Sequence, residues 1–585
     1  MPTPARLLPA LLALPLLLAQ PASAPAEWDV DGLEELLPRA ETPAERRFRE
    51  QWLRSPDRGQ ILADPPPVAP IRNCAEWDPT VGVLVRYPLG LPYTVLRDFD
   101  DVTTIYVIVS SASLATAQFN FVNNGVDTTH VEWLVRPSNS IWTRDYGPWF
   151  VFDGNGDVAI VDHVYNRPAR PQDDLIPVEF GNAYGYPVVR HDMWHTGGNY
   201  MTDGAHISMS TDLVYDEALS ANGMSPAEVD ELMNDYYGVA AYHVIDDISP
   251  SGIHHIDTWG KMLGEETILI KETVASHSTY TALEQRATLI ASLPSSTGRN
   301  FEVVRVFCHL ISGGNPASYT NSLILNERVY VPLFNHATND AAALDAYRDA
   351  MPGYEVLGYT YGSNWLTDDA LHCRAKGVMD PGMLRVAHVP VVGDQATDVE
   401  IVAFADDRSE SGITAVELHW RIDAGSWTVE PMTATSGDEY AATIPHPGAA
   451  ATADYYIHVT DASGRAEGMP RAEPAGWYTF PFVPGATDVA DIAAALEGPS
   501  AGPNPFRDRT AFQFELAFPD RVSLRVYDVQ GRLVRDLVTG VRAAGTHRVN
   551  WDGRNEVGER VAAGTYYFRL NAAGLSYTRP VTLLR

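Results

Sequence analysis

The chain has 585 residues, a formal net charge of -33 and three cysteines. That length exceeds one hydrophobic core and sets an expectation of about three or four domains. The charge argues against nucleic acid as a partner, since phosphate binding needs clustered Lys and Arg. It suits solubility or the attraction of cationic substrates.

Residues 1–24 read as a signal peptide. Arg6 is followed by an apolar run from Leu7 to Leu18 and then by the small-x-small site Ala22-Ser23-Ala24. The run is too short to span a bilayer comfortably, so the mature chain is expected to be secreted or held at the cell surface. Residues 25–69 are polar, charged and proline-dotted, a helical or loose leader.

From 70 to 391 the texture is α/β. Val81–Val85, Thr104–Val109, Thr267–Ile270 and Val303–Phe307 read as buried strands. Ser322–Leu325, a turn at Asn326-Glu327, and Val329–Val331 read as a hairpin. Asp340 to Met351 reads as a helix with Leu344, Tyr347 and Met351 on one face. Residues 395–483 alternate instead, as in Val416–Trp420 and Tyr455–Val459, and suggest an immunoglobulin or fibronectin-like sandwich. Residues 484–497 form a linker rich in Ala, Gly and Pro. Residues 498–585 alternate again, with Val522, Leu524 and Val526 on one face. No internal repeat is evident. The cysteines Cys74, Cys308 and Cys373 are too few for a disulfide-built exported domain. Their number is odd, so at least one is free or pairs between chains. Pairing of Cys74 with Cys308 stays open.

Five polar clusters lie far apart in the α/β region. The run Trp142-Thr143-Arg144-Asp145-Tyr146-Gly147-Pro148 closes a strand with a polar turn. His195-Thr196-Gly197-Gly198-Asn199 sets two glycines beside polar residues, as close approach of backbone to a ligand requires. His255 and Asp257 are two apart, on one face if the segment is a strand. Ser318-Tyr319-Thr320-Asn321 begins a strand, and Leu371-His372-Cys373 lies in a loop after Asp368 and Asp369. Alone, each has an ordinary reading: a lone Cys is usually a small buried hydrophobe, and a Gly-Gly-Asn is usually a turn. Their order and company argue for chemistry.

As a set, these motifs resemble those of the agmatine deiminase and bacterial peptidylarginine deiminase families. Ala75-Glu76-Trp77-Asp78-Pro79 resembles the start of the first strand, and the match covers about 70–390. Tyr165-Asn166-Arg167-Pro168, Gly198–Gly204 and the run from Ser318 to Asn326 resemble the Porphyromonas-type branch. The resemblance implies a pentein fold, an α/β propeller of five blades. It also implies a metal-free, cofactor-free hydrolase that converts peptidyl arginine to citrulline and ammonia. Cys373 matches the nucleophile and His255 the acid and base. Asp145 and Asp257 match the two carboxylates that grip the guanidinium, and Asn321 a residue shaping the nucleophile's surroundings. Arg167 and Arg170 match a clamp for the substrate carboxylate, with Arg170 one residue late. Trp142, Ile253 and Asp203 complete the implied substrate-binding set. Residues 395–483 resemble a fibronectin type III-like module. Residues 498–585 resemble the flagellar-hook-cap-type Ig domain, often a C-terminal sorting module engaged by secretion machinery.

The chemistry fits those residue types. A guanidinium carbon is deactivated by delocalisation, so a thiolate is a better nucleophile than water. A planar cation needs paired, charge-assisted carboxylate bonds. Three alternatives compete: a deiminase of agmatine or free arginine, a Cys-His protease built on Cys373 and His255, and a non-catalytic surface adhesin. Two guanidinium-binding carboxylates suit a protease badly, and the intact motif set argues against an adhesin.

Overall fold

The computed structural model describes residues 37–55, 63–249, 252–362, 365–483, and 500–584 apart from 517–519, 529–531, 543–544, 556–557 and 573–574. The expected signal peptide, the first part of the leader and the expected linker 484–497 lie outside the described residues.

Between Arg72 and Met379 the chain builds five small sheets. The first holds Lys376–Met379, Thr80–Arg86, Thr104–Val109 and Val131–Val135. The second holds Arg72–Asn73, Trp149–Phe152, Val158–Tyr165 and Val188–His195. The third joins Met201–Thr202, Ile207–Thr211 and Ala241–Ile245, and the fourth Gly260–Met262, Thr267–Glu272 and Glu302–Phe307. The fifth joins Leu323–Leu325, Arg328–Leu333 and Glu355–Thr360. In each sheet an antiparallel pair is extended by a parallel neighbour. Parallel pairing needs a crossover. Helices Tyr93–Asp100, Ile176–Tyr184, Leu213–Asn222 with Pro226–Tyr237, Tyr280–Ile290 and Ala337–Ala350 supply one crossover in each sheet, and Leu114–Asn123 a second one in the first sheet, between Thr104–Val109 and Val131–Val135.

One supersecondary unit therefore recurs five times, a repeat that residue patterning did not show. What recurs is the hydrogen-bond pattern, because each unit fills its own core with different side chains. The central strands read as continuous apolar runs because both faces are covered; Val83, Leu84 and Val85 are all buried. The unit closes on itself in sequence terms. Lys376–Met379, from its C-terminal end, pairs with Thr80–Arg86 near its start.

The strands expected from sequence are present, but Val303–Phe307, expected to be buried, is an edge strand with only Val306 buried and Phe307 exposed, because no described strand pairs with its outer side. The hairpin turns at Asn326, whose φ of 54° is left-handed, a conformation Asn tolerates better than most residues. Tyr347 and Met351 are buried on the expected face of the last crossover helix. The leader contributes helix Pro43–Arg54. Thr42 and Glu45 form a capping box around Pro43 at the first helical position. Its Trp52 ring lies 5.2 Å from that of Trp194.

Two all-β units follow. The first has its own core, including Ile401, Leu418, Tyr455 and Phe480. It begins earlier than expected: Leu384–Ala387 pairs with Val399–Asp407, and Leu384 and Val386 join the same core. The α/β unit thus ends before 384, ahead of the expected boundary at 391. Short apolar strands do not announce which core they enter. Arg465 with Asp380 and Arg471 with Asp78 hold this unit to the first. The last unit packs Val522, Leu524, Val526 and Trp551 in a further core. All three cysteines are free and buried. Cys74 and Cys308 belong to different cores, so the open pairing is resolved against a disulfide. No described helix is long and apolar enough to cross a membrane.

Candidate active site

Each polar cluster ends just ahead of the strand that forms the antiparallel pair of one sheet. Asp145 lies in the helical turn Thr143–Tyr146, before Trp149–Phe152. Gly198 and Asn199 lie in the turn Gly197–Asn199, before Met201–Thr202. Asp257 lies in the turn Ile256–Thr258, before Gly260–Met262. Asn321 precedes Leu323–Leu325, and Cys373 lies in the turn His372–Arg374, before Lys376–Met379. His255 and Asp257 are therefore not on a strand, contrary to the spacing argument. The turn is closed by Thr258 N donating to His255 O, and it brings the two side chains together by curvature rather than alternation.

The five turns meet. Gly198 N donates to Asp145 Oδ1 at 3.2 Å. A methyl built on Gly198 would lie 2.5 Å from Asp145 Oδ1, 2.6 Å from His255 Nδ1 and 3.3 Å from Asp257 Oδ2. Only glycine leaves that space open, so the backbone there forms the floor between two carboxylates and an imidazole. His255 Nδ1 lies 3.5 Å from Asp145 Oδ1. Asp257 Oδ2 lies 3.5 Å from Cys373 Sγ, and Asn321 Nδ2 donates to that sulfur at 3.2 Å. Asn321 Oδ1 accepts the amides of Ala370 at 2.9 Å and Cys373 at 3.4 Å. It fixes the thiol and the loop that carries it.

Charge is unbalanced here. Burial, and then the charge of Asp257, push Asp145 up to about 7, with Arg167 opposing. Burial also works against Asp257, but the hydrogen bond and charge of His372 outweigh it and hold that carboxyl below its ordinary range. Burial drives His255 down to about 3, so its ring is neutral. The Cys373 thiol is pushed far up by burial and then by Asp257, Asp369 and Asp145. Asp257 Oδ1 and His255 Nε2 are buried without a hydrogen-bond partner. A site with two acidic groups, a neutral imidazole and a protonated thiol is short of one cation.

The expected substrate-binding residues divide. Trp142 is buried in the same core as Cys373, with the Arg374 guanidinium 5.5 Å from its ring centroid. Arg167 is buried, and its charge reaches both Asp145 and His255. Ile253 is buried in the loop ahead of His255. Arg170 is wholly buried and bonded to Glu45 of the leader. Asp203 does not join the group. Its Oδ1 accepts the amides of Ala205, His206 and Ile207, so it organises a tight turn. A carboxylate in a Gly-containing run serves such a turn as readily as a ligand.

Sequence reasoning missed the support behind the thiol. His372 Nδ1 meets Asp257 Oδ2 at 2.8 Å, and its Nε2 meets Glu76 Oε2 at 2.7 Å. Two acceptor carboxylates ask for a proton on both ring nitrogens, against burial and the charges of Arg144 and Lys261, which lower the pKa of the ring. Glu76 also takes Lys261, Arg144 and the amide of Ile324. Asp369 pairs with Arg374 at 2.8 Å, and Arg374 also donates to Gly90 O. The signal available was Glu76, one of two acidic residues in the Ala75–Pro79 run, and the His preceding the Cys.

Comparison with known proteins bears on this arrangement. Residues 73–377 match the family model described as Porphyromonas-type peptidyl-arginine deiminase, and residues 505–575 match the FlgD Ig-like domain. A Vibrio parahaemolyticus protein assigned as an agmatine deiminase is 23% identical over 40% of this chain and 75% of its own. One from Shewanella baltica, assigned likewise, is 22% identical over 46% of this chain and 80% of its own. Among solved structures, the agmatine deiminase of Enterococcus faecalis is 19% identical with a TM-score of 0.47, covering 53% of this chain and 96% of its own. A Porphyromonas gingivalis protein assigned as an arginine deiminase is 20% identical with a TM-score of 0.48, covering 53% and 99%.

Proposed function

The chain belongs to the Porphyromonas-type peptidyl-arginine deiminase family, and from that premise we propose that it hydrolyses the guanidinium of arginine in peptides, with Cys373 as nucleophile. The observation that carries this reading is the pair of buried carboxylates, Asp145 and Asp257, facing each other across Gly198 beside the thiol.

A guanidinium bound between them supplies the missing positive charge. Asp145 then ionises, and the cation lowers the cost of forming a thiolate at Cys373. The thiol proton passes to His255, which is neutral before substrate enters. Sγ attacks the guanidinium carbon, forming a C–S bond. His255 returns the proton to the departing nitrogen, and ammonia leaves with cleavage of the C–N bond. Water then enters and His255 takes its proton. The hydroxyl adds to the thiouronium carbon and the C–S bond breaks; His255 returns its proton to the sulfur, and the hydroxyl proton leaves to the released ammonia as ammonium as the ureido product forms. Asn321 and Asp257 hold the sulfur in line throughout. We read the five sheets as blades about a common axis, with the five turns meeting at one end of it. The signal sequence and the C-terminal Ig-like unit suggest export and attachment or sorting at the cell surface. That idea fails if the chain lacking residues 498–585 reaches the same place.

Arg167, buried beside Asp145, supports a peptide with a C-terminal arginine whose carboxylate it would grip through two parallel bonds. The names carried by the relatives favour agmatine as the competing substrate. Release of ammonia and ureido product is to be compared for agmatine, for a peptide ending in arginine, and for the same peptide amidated. The free peptide is expected to be the best substrate, and Arg167→Ala should remove its advantage through KM. Preference for agmatine would overturn the peptidyl reading. Equal turnover of free and amidated peptides would overturn the clamp.

A further inference from the structure

The leader does not stay clear of the site. Its Leu37 carbonyl accepts Trp142 Nε1 at 3.2 Å, and its Pro38 carbonyl accepts Arg170 Nη2 at 2.7 Å. The Arg39 guanidinium pairs with Asp368, in the loop that carries Cys373. Asp368 in turn faces the loop that carries His255, its Oδ2 lying 3.9 Å from a Cβ built on Gly252. The Arg39 charge acts on Asp369 and the Cys373 thiol, and it also reaches His255. The Glu45 carboxylate takes Arg170 in a fork, at 2.7 Å from Nε and 3.4 Å from Nη2. Behind this, Trp52 and Leu53 pack on Val164, Trp194 and Ala221.

These contacts copy what an arginine peptide offers: a guanidinium at the mouth, a carboxylate on an arginine, and backbone carbonyls on side-chain donors. We infer that residues 37–54 are a built-in pseudosubstrate, seated in the groove of Trp142, Arg170, Asp368 and Trp194, and that a peptide must displace them to reach Cys373. The identity of the competitor rests on the proposed function; the occupancy of the groove does not. Apart from the buried Arg170–Glu45 pair, the seat is shallow. Helix Pro43–Arg54 has no buried residue, and the Arg39 and Asp368 side chains are 23% and 25% exposed. Contacts so weak suffice within one chain, where the tether gives an effective concentration in the millimolar range, of order 1 mM. Severing the tether lets the segment leave.

The test uses the full chain with residues 56–61 replaced by a site-specific protease sequence, before and after cutting, together with full-length Arg39→Ala and Trp52→Ala. Two quantities are read. One is the rate at which iodoacetamide labels Cys373, mapped by mass spectrometry with Cys74 and Cys308 as references. The other is KM and kcat for a peptide ending in arginine. Cutting, and Trp52→Ala, should speed labelling about tenfold or more and lower KM to match with kcat unchanged, and Arg39→Ala should lower KM likewise. A synthetic peptide of residues 37–54 should restore the slow labelling of the cut protein. Equal labelling in all forms would overturn the inference and make the segment a fixed wall. Faster labelling with no turnover in any form would uphold the pseudosubstrate and sink the deiminase reading instead.

Discussion

Replacing Asp145 by Asn changes the charge of the site with almost no change of shape, and the structure sets what should follow. The ordinary carboxyl value of 3.8 is pushed up to about 7 by burial and by Asp257. A group raised in the folded state favours folding below its unfolded value and loses that contribution as pH climbs to the folded value. The contribution of Asp145 to wild-type stability should therefore fall between about pH 4 and pH 7 and then level off. At about 1.4 kcal/mol per pH unit, the loss is on the order of 4 kcal/mol. Asn does not titrate, so Asp145→Asn should escape this loss. It should be near wild type at pH 4 and more stable by up to roughly 4 kcal/mol at pH 7.5. Urea unfolding followed by tryptophan fluorescence at several pH values measures the difference. Turnover should meanwhile drop by about 10²–10³-fold, since one of the two groups that face the cation is gone. Wild-type kcat/KM should rise with pH towards about 7 and flatten beyond it, as Asp145 ionises. Parallel stability curves for the two proteins across this range would refute the reasoning, whatever the variant's activity.

Three further outcomes are expected. Cys373→Ala should abolish ammonia release with the circular dichroism unchanged, while Cys308→Ala, which alters a thiol in a separate core, should keep it; the reverse pattern would remove Cys373 from the chemistry. Gly198→Ala should cut turnover by about 10²-fold or more, because its methyl would lie 2.5 Å from Asp145 Oδ1 in the cation's place. Near-normal turnover would mean that the guanidinium binds elsewhere. Asn321→Ala removes the donor 3.2 Å from the sulfur and should move the pH dependence of Cys373 alkylation upward; an unmoved profile would reduce Asn321 to a holder of the loop.

Local elements were legible in the sequence because each has a chemical cause that reads residue by residue. The strand Thr104–Val109 is apolar from Ile105 onward because most of both its faces is covered, and the hairpin at Asn326 is marked by its turn residue. The motifs named Cys373, His255, Asp257, Asp145 and Asn321, and the structure gathers all five. Three things were hidden. The fivefold unit repeats a hydrogen-bond pattern, not a residue pattern, although the motifs do recur about every 50–65 residues, a period that hints at a repeat. The roles of Glu76 and His372 depend on contact across most of the catalytic unit. Arg170 looked free to bind a ligand only because nothing in its own neighbourhood says that Glu45, far upstream, already holds it.

The strand Lys376–Met379 has a consequence in time as well as in space. It is the last piece of the catalytic unit to be synthesised, and it is tied to the thiol by two intervening residues. Until it pairs with Thr80–Arg86, Cys373 has no fixed position opposite Asp257 and Asn321. A nascent chain can therefore fold four of its five sheets, with their carboxylates and imidazole in place, and still be chemically silent. The thiol arrives with the strand that completes the first sheet, so reactivity is withheld from every partly made copy of the enzyme.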